Sequence, residues 1–424
     1  MAANVTMQRK KAPVAFIPKD IMVNIFKRLP GRSLIRFRCV CTDWKNLIND
    51  LIKTPSFIED HFHCSSCRNP FLLLEQYHRR FRGISLSVLD CDKRVQKVQK
   101  LPSIYSPYNY EVLGSSNGLV CVKVENGMSP HPILIWNPAT RDIREVLPRT
   151  IVHSDLIDEV GFEYRTYINS QLHDYYGFGF SPLDSDYKVV RINEFHPYDI
   201  KAVEVYSLNC GSWKEIGVGD DLRGISTGTN ATINGVMFWN AMWCDDEPLI
   251  LPIDLSKEEV CTAIPMPHIY GFARASLIEY ENKLAVVACA QESDGSDLIH
   301  LWVRKEETYL SEDEDEDEDE DDKRRGWTKI YISSPSPWGT LNPFTIWMNE
   351  IVFLPLHEIE NDGQETILYL LDLTANEFKR LPVRSHSSNF DRVRKRRSLF
   401  YPKRNIDTGI FNYVESFVLV NRHH

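Results

Sequence analysis

The sequence predicts a small all-α module followed by an all-β propeller with six blades. Three observations lead to this prediction. Apolar residues recur at helical spacing before residue 60, and short apolar strands repeat at regular intervals from Phe71 onward. The chain has 424 residues, 43% of them hydrophobic and 25% charged, which is typical of a globular protein with two or three domains.

The N-terminal part has apolar side chains every three or four residues, which predicts two or three helices. The first helix should end at Pro30, because proline interrupts helical hydrogen bonding. Ser33 is a suitable N-cap for the next helical stretch, and Pro55 is expected to end the helical region. The apolar positions are Ile21, Ile25, Leu29, Leu34, Phe37, Cys41, Trp44 and Ile48.

The repeating unit after Phe71 is an apolar strand, a second apolar strand, a turn and an amphipathic strand. Six such units are typical of a β-propeller, in which each sheet buries its faces against neighbouring sheets. The last apolar strand, Val414–Val420, has no partner in its own repeat and is predicted to complete the first blade. A two-sheet sandwich is the structural alternative, which the regular spacing disfavours.

The helical module presents a physical problem. Some 45 residues cannot build a self-sufficient core, yet the module is rich in aliphatic and aromatic side chains. Either it packs on the following domain, or it presents an apolar face to another protein. A helical face with a tryptophan and several aliphatics is suited to docking a partner's helix.

The motifs of this module resemble an F-box from end to end. They are Phe16-Ile-Pro-Lys-Asp-Ile21, Lys27-Arg-Leu-Pro30, Arg32-Ser-Leu-Ile-Arg-Phe-Arg38, Val40-Cys41, Trp44 and Leu47-Ile48. Departures such as Ile17 in place of leucine remove no apolar contact. The resemblance implies that the module docks a SKP-type linker protein. The residues it implies for this contact are Pro18, Ile21, Ile25, Leu29, Pro30, Leu34, Val40, Cys41, Trp44 and Ile48.

The strand repeats are similar to the kelch-like F-box-associated domain of plant F-box proteins, and to the S-locus F-box and S-locus-F-box-like group in particular. The motifs are Asn117-Gly-Leu-Val-Cys121, Trp136-Asn-Pro-Ala-Thr-Arg141, Asp186-Tyr-Lys-Val-Val-Arg191, Ser212-Trp-Lys-Glu-Ile216 and Tyr413-Val-Glu-Ser-Phe417. The expected domains are a disordered N-terminus (1–15), the F-box (16–60), a linker (61–70) and the propeller (71–421), with a disordered acidic loop at 311–325.

The resemblance implies the substrate-recognition subunit of an SCF-type ubiquitin ligase. The F-box would bind the linker protein and, through it, the cullin and RING subunits, while the propeller would capture a protein substrate. The chain itself would not be an enzyme and would need no cofactor. A non-degradative F-box scaffold is the alternative. The substrate and its binding residues are not named by the sequence, and a ribonuclease of the S-locus type is one candidate.

The net charge of −10 comes from one segment, because Glu312–Asp322 supplies eleven carboxylates and the rest of the chain carries +1. Such a run of like charges is expected to be a solvated loop, although it could attract a basic substrate. A basic cluster at residues 392–397 lacks an aromatic platform, so nucleic-acid binding is not expected.

Other classes of protein are disfavoured by what the sequence lacks. No apolar leader or membrane span is visible, and ten cysteines without framework spacing suit a cytoplasmic or nuclear protein. No phosphate loop or hydrolase motif is found. The four potential zinc ligands between His61 and Cys67 lie too close together and lack a second ligand pair, so no metal site is expected.

Overall fold

The computed structural model describes sixteen stretches of the chain. They are residues 17–68, 70–78, 83–97, 109–125, 131–148, 172–195, 199–218, 222–243, 247–268, 274–291, 297–305, 326–339, 341–355, 365–384, 409–418 and 420. The N-terminus (1–15), the acidic run and the basic cluster at 392–397 lie outside the described residues. No helix in the described stretches is both long and apolar enough to cross a membrane.

Four helices precede the strands. They are α1 (Lys19–Phe26), α2 (Gly31–Phe37), α3 (Thr42–Leu51) and α4 (Pro55–Arg68). The prediction that Pro55 ends the helical region is wrong, because Pro55 begins α4, and proline at the first position of a helix forfeits no hydrogen bond. Most of the segment expected to be a linker, residues 61–70, therefore lies within α4. We call residues 17–68 the helical module.

The strands form six antiparallel sheets, each a blade of the propeller, as the sequence predicts. Blade one contains β1 (Phe71–His78), β2 (Gly83–Leu89) and β3 (Val95–Lys97), and blade two contains β4 (Asn109–Ser116), β5 (Leu119–Glu125), β6 (Ile133–Trp136) and β7 (Ile143–Val146). Blade three contains β8 (Leu172–Ser181), β9 (Asp186–Phe195), β10 (Asp199–Ser207) and β11 (Ser212–Ile216).

The remaining three blades follow the same order along the chain. Blade four contains β12 (Leu222–Ile233), β13 (Val236–Trp243), β14 (Pro248–Asp254), β15 (Glu259–Val260) and the short β16 (Ile264–Pro265). Blade five contains β17 (Arg274–Tyr280), β18 (Lys283–Gln291), β19 (Asp297–Arg304) and β20 (Trp327–Ile332). Blade six contains β21 (Leu341–Trp347), β22 (Glu350–Pro355), β23 (Glu365–Asp372) and β24 (Glu377–Arg384).

The ring is closed by β25 (Ile410–Tyr413), which pairs antiparallel with β1 in blade one. The prediction that a C-terminal strand completes the first blade is therefore confirmed. Its predicted bounds, Val414–Val420, are wrong, because the chain leaves the sheet after Tyr413. The first strands of neighbouring blades contact each other in an unbroken circle of β25, β4, β8, β12, β17 and β21.

Apolar cores lie between the blades, as stacking of small sheets requires. One core joins blades two and three through residues such as Ile135 and Val189, and another joins blades five and six through Val287 and Phe353. Five tryptophans are almost fully buried in the propeller, namely Trp136, Trp239, Trp302, Trp327 and Trp347. Blade packing accounts for them, so they provide no binding surface.

Candidate functional site

The helical module exposes a set of aliphatic side chains that its own fold leaves uncovered. Ile17, Ile21, Ile25 and Val40 are 43%, 51%, 45% and 60% exposed. Ile21 and Ile25 are one helical repeat apart on α1, so they lie on the same side of that helix. Several uncovered aliphatics on one small module are typical of a surface that another protein covers. We call these four residues the docking face.

Trp44 supports the module from within. Its ring lies edge-on to Phe26, with centroids 5.2 Å apart, and lies 5.5 Å from the ring of Phe37. Cys41 precedes α3 and caps it, because its sulfur accepts a hydrogen bond from the backbone N–H of Trp44 over 3.4 Å. Trp44 is half-buried and holds α1, α2 and α3 together, while its outer part stays accessible.

The structure divides the ten residues that the sequence assigns to linker binding into three groups. Six are exposed, namely Pro18, Ile21, Ile25, Pro30, Val40 and Cys41. Leu29 and Trp44 are half-buried. Leu34 and Ile48 are 0% exposed in the core of the module, so their side chains pack inside it and present no surface to a partner. Sequence reasoning also left out Ile17, which is exposed beside Pro18.

Helix α4 packs against the rest of the module. The Nε2–H of His61 donates to the carbonyl oxygen of Leu29 over 2.9 Å, and Lys27 Nζ pairs with Asp60 Oδ2 at 2.7 Å. His61 is fully buried, and burial lowers the pKa of its imidazole despite the hydrogen bond to Leu29.

The described residues contain no group of three or more histidine, cysteine, aspartate or glutamate side chains placed to hold a metal ion.

The core of the module includes a side chain from the far end of the chain. Phe417 is 1% exposed and packs with Phe26, Leu34, Ile48 and Phe57. Sequence reasoning assigned Phe417 to a strand of blade one and missed this contact. The available signal was the small size of the module, which implied that another part of the protein or a partner must complete it.

The two ends of the propeller differ. In each four-stranded blade, the first-to-second and third-to-fourth turns share one end, because the strands are antiparallel. The helical module is at this end, because residues after Tyr413 contact Gly118 and Asn137 in two of these turns. The opposite end carries the connections between blades, of which the longest join Val146 to Leu172 and Arg384 to Ile410.

The helical module is basic, in contrast to the whole chain. Residues 17–68 contain nine lysine and arginine side chains and five aspartate and glutamate side chains. The docking face therefore lies on a positively charged module within a chain of net charge −10. Complementary charge accelerates association, so this module favours a partner with an acidic surface.

Comparison with known families and proteins gives consistent matches. The family described as the F-box associated beta propeller domain matches residues 82–406, and the F-box domain family matches residues 16–55. The F-box protein CPR1 of Arabidopsis thaliana is 34% identical over 215 residues, which are 48% of this chain and 46% of that protein. An F-box/kelch-repeat protein of the same plant is 25% identical over 254 residues, 57% of this chain and 64% of that protein.

These matches are partial, since the chain spans about half to two thirds of the length of those two relatives. Among solved structures, TolB from Acinetobacter baumannii is similar over 78% of this chain and 70% of that chain, with 11% identity and a TM-score of 0.45.

Proposed function

The chain belongs to the family of F-box proteins that carry an F-box associated β-propeller, and we propose that it is the substrate-recognition subunit of an SCF-type ubiquitin ligase. The observation that carries this proposal is the docking face. Its four aliphatic side chains remain exposed although the core behind them is complete. A SKP-type linker protein is the partner that an F-box implies.

The contact with the linker would be centred on Ile21 and Ile25, with the accessible part of Trp44 at its side. A few buried apolar anchors carry most of the affinity at such interfaces. The basic side chains around them would speed association with an acidic linker surface and make it depend on salt. Leu34 and Ile48 would contribute indirectly, by fixing α2 and α3 in place.

The substrate would bind at the end of the propeller away from the helical module. That end carries the long connections between blades, and loops on a rigid scaffold are where binding residues concentrate. The protein would do no chemistry itself. It would hold a substrate lysine near a ubiquitin carrier that other subunits bring, so its contribution is proximity. The cullin and RING subunits would join through the linker.

We propose that this activity takes place in the cytoplasm, the nucleus or both. The nine cysteines of the described stretches are free thiols, which suits a reducing compartment. Fusion to a fluorescent protein and imaging in plant cells would test the location. Signal confined to the secretory pathway would contradict it.

The docking face can be tested with a single exposed residue. Ile21→Asp should weaken binding of a recombinant plant SKP-type linker by on the order of 2–4 kcal/mol, or about thirtyfold to a thousandfold, because the charge would be desolvated at the interface. Thermal stability should change little, since Ile21 is 51% exposed. Titration calorimetry measures the affinity.

The matched control is Leu183→Asp, which changes an 85% exposed leucine in a turn of the propeller. It should leave linker affinity unchanged. Equal affinity of Ile21→Asp and wild type would contradict the assignment of the docking face. Reconstituted ubiquitin transfer, with a substrate captured while the proteasome is inhibited, would then separate a degradative receptor from a scaffold that binds linker without any transfer.

A further inference from the structure

The segment that follows β25 runs between the helical module and the propeller and contacts both. We call residues 414–420 the C-terminal segment; Leu419 lies outside the described residues. Its side chains alternate in direction, as expected for an extended chain. Glu415 and Phe417 point to the helices, whereas Val418 and Val420 pack against the core between blades two and three. One short stretch therefore belongs to two cores.

On the helix side, Phe417 and Glu415 supply a core side chain and a helix cap that the helical module lacks. The ring of Phe417 lies 4.7 Å from the ring of His61 and completes the core of the helical module. Helix α2 follows Pro30, whose side chain cannot cap a helix. Glu415 supplies the cap instead, since its Oε2 accepts the backbone N–H of Arg32 over 3.2 Å. Its Oε1 also pairs with Arg32 Nε at 3.1 Å.

On the propeller side, the segment is held through its backbone. The side-chain Nδ2 of the buried Asn137 donates to the backbone carbonyl oxygens of Ser416, over 3.0 Å, and Val418, over 2.8 Å. Gly118 lies directly beneath Ser416, where any side chain at position 118 would collide with it. The propeller therefore fixes the position of Phe417 through the backbone on either side of it.

From these contacts we propose that the C-terminal segment is an essential part of the linker-docking module. The helices form a stable docking face only when Phe417 fills their core and Glu415 caps α2. The same contacts fix the orientation of the docking face relative to the propeller. Linker docking thus depends on residues almost the whole chain away in sequence. This inference rests on the proposed function for the identity of the partner, but its structural part does not.

The test uses the full chain with Phe417→Ala, which removes a buried aromatic ring and leaves every exposed residue in place. Amides of α1–α3 should exchange with solvent on the order of a hundredfold faster, as expected for loss of a large core side chain. The affinity for a recombinant plant SKP-type linker should fall about tenfold or more, because only the ordered fraction of the module binds. Phe417→Leu retains most of the volume and should restore most of the affinity.

The matched control is Phe353→Ala, which removes an equally buried ring from the core between blades five and six, to which no described residue of the helical module or the C-terminal segment contributes. It should destabilise the propeller without changing exchange in α1–α3 or linker affinity. If Phe417→Ala does not fold, Glu415→Ala supplies the second variant, because it removes the carboxylate that accepts the backbone N–H of Arg32. Glu415→Ala should raise exchange in α2 and weaken linker binding severalfold.

The outcomes separate this inference from the proposed function. Hydrogen exchange is measured without linker, so it tests the inference whether or not the wild-type chain binds linker. Failure of the wild-type chain to bind linker would overturn only the proposed function. Unchanged exchange in α1–α3 of Phe417→Ala overturns the inference. Linker affinity of Phe417→Ala within twofold of wild type overturns it as well, whatever the exchange shows.

Discussion

The propeller and the helical module bury their apolar side chains in different ways. Each blade has two neighbours, so the ring covers both faces of every sheet with its own strands. The helical module buries only Phe26, Leu34, Ile48 and Phe57 from its own sequence and takes in Phe417. It leaves the docking face uncovered. A domain that closes on itself gains stability, whereas a module too small to do so remains dependent on contacts with its surroundings.

Two truncations are expected to have the largest effects. One tests closure of the ring, and the other tests completion of the helical module. Deleting residues 410–424 removes β25, exposes the edge of β1 and should cause aggregation, because an unpaired edge is a template for pairing between chains. Deleting residues 414–424 leaves β25 in place and should give a soluble monomer with poorly protected helices. Size-exclusion chromatography and hydrogen exchange measure both results.

Ring closure and completion of the helical module are tested separately by the two truncations. A chain without residues 410–424 that stayed monomeric and melted at the wild-type temperature would show that β25 is not needed for closure. Full protection of α1–α3 after loss of residues 414–424 would show that the helical module is independent of the C-terminal segment.

Two glycines in equivalent turns allow a finer comparison. Gly118 and Gly235 both follow an asparagine in a turn between the first two strands of a blade, with φ of +83° and +82°. Alanine at either position should cost about 1–3 kcal/mol, because the left-handed conformation disfavours a side chain. Only Gly118→Ala should also weaken linker binding, since its methyl group would displace Ser416. Calorimetric affinities that fell equally in both variants would contradict this specificity.

A smaller effect is expected from His61 as the pH falls. Burial lowers the pKa of His61 in the folded protein, so the unfolded chain binds a proton first and stability falls as pH drops below about 6.5, by at most about 1.4 kcal/mol per pH unit. The buried Nδ1 has no hydrogen-bond partner among the described residues, so its protonation would bury an unpaired donor. Exchange of α1–α3 between pH 7.5 and 5.5 measures this loss.

The control for this prediction is His61→Gln, which cannot titrate and should respond less to acidification. Glu415 acts in the opposite direction. Burial raises the pKa of its carboxyl group, so protonation at low pH favours the folded state. Glu415→Gln should therefore steepen the loss of protection in acid. The same pH response in wild type and His61→Gln would rule out His61 as its source.

The smallest effect is expected from deleting Glu312–Asp322. The ends of this connection meet in the hairpin of blade five, where the backbone N–H of Lys305 donates to Gly326 over 3.0 Å. Shortening a connection whose ends remain paired changes closure entropy only slightly, by well under 1 kcal/mol. The melting temperature and the linker affinity should stay at wild-type values. A large drop in melting temperature would show that the run packs against folded structure.

Several features of the fold follow from local patterns in the sequence. The spacing of Ile21, Ile25 and Leu29 predicted α1, and the repeated apolar strands predicted the blades, because both patterns reflect which side of an element faces a core. Closure by a C-terminal strand followed from counting strands in the repeats. These predictions needed only neighbours along the chain or a simple rule of stacking.

Local patterns misplaced residues whose environment is set by distant segments. The local pattern assigns Pro55 to the end of the helical region, although proline is compatible with both the end and the first turn of a helix. The sequence groups Leu34 and Ile48 with the docking residues, because spacing on a short helix does not distinguish a side chain that faces the core from one that faces a partner. Only the packing of α2 and α3 against Phe417 separates the two groups.

The sequence by itself determined two kinds of architecture, a helical F-box and a ring of blades, since hydrophobic periodicity is a property of adjacent residues. Tertiary structure alone decided that the two share a core. The motif Tyr413-Val-Glu-Ser-Phe417 has the alternation of a strand, and nothing local states which element each face will meet. Closure of the ring brings Phe417 and Glu415 to the helices, because β25 ends at Tyr413 on the side where α4 leads into β1.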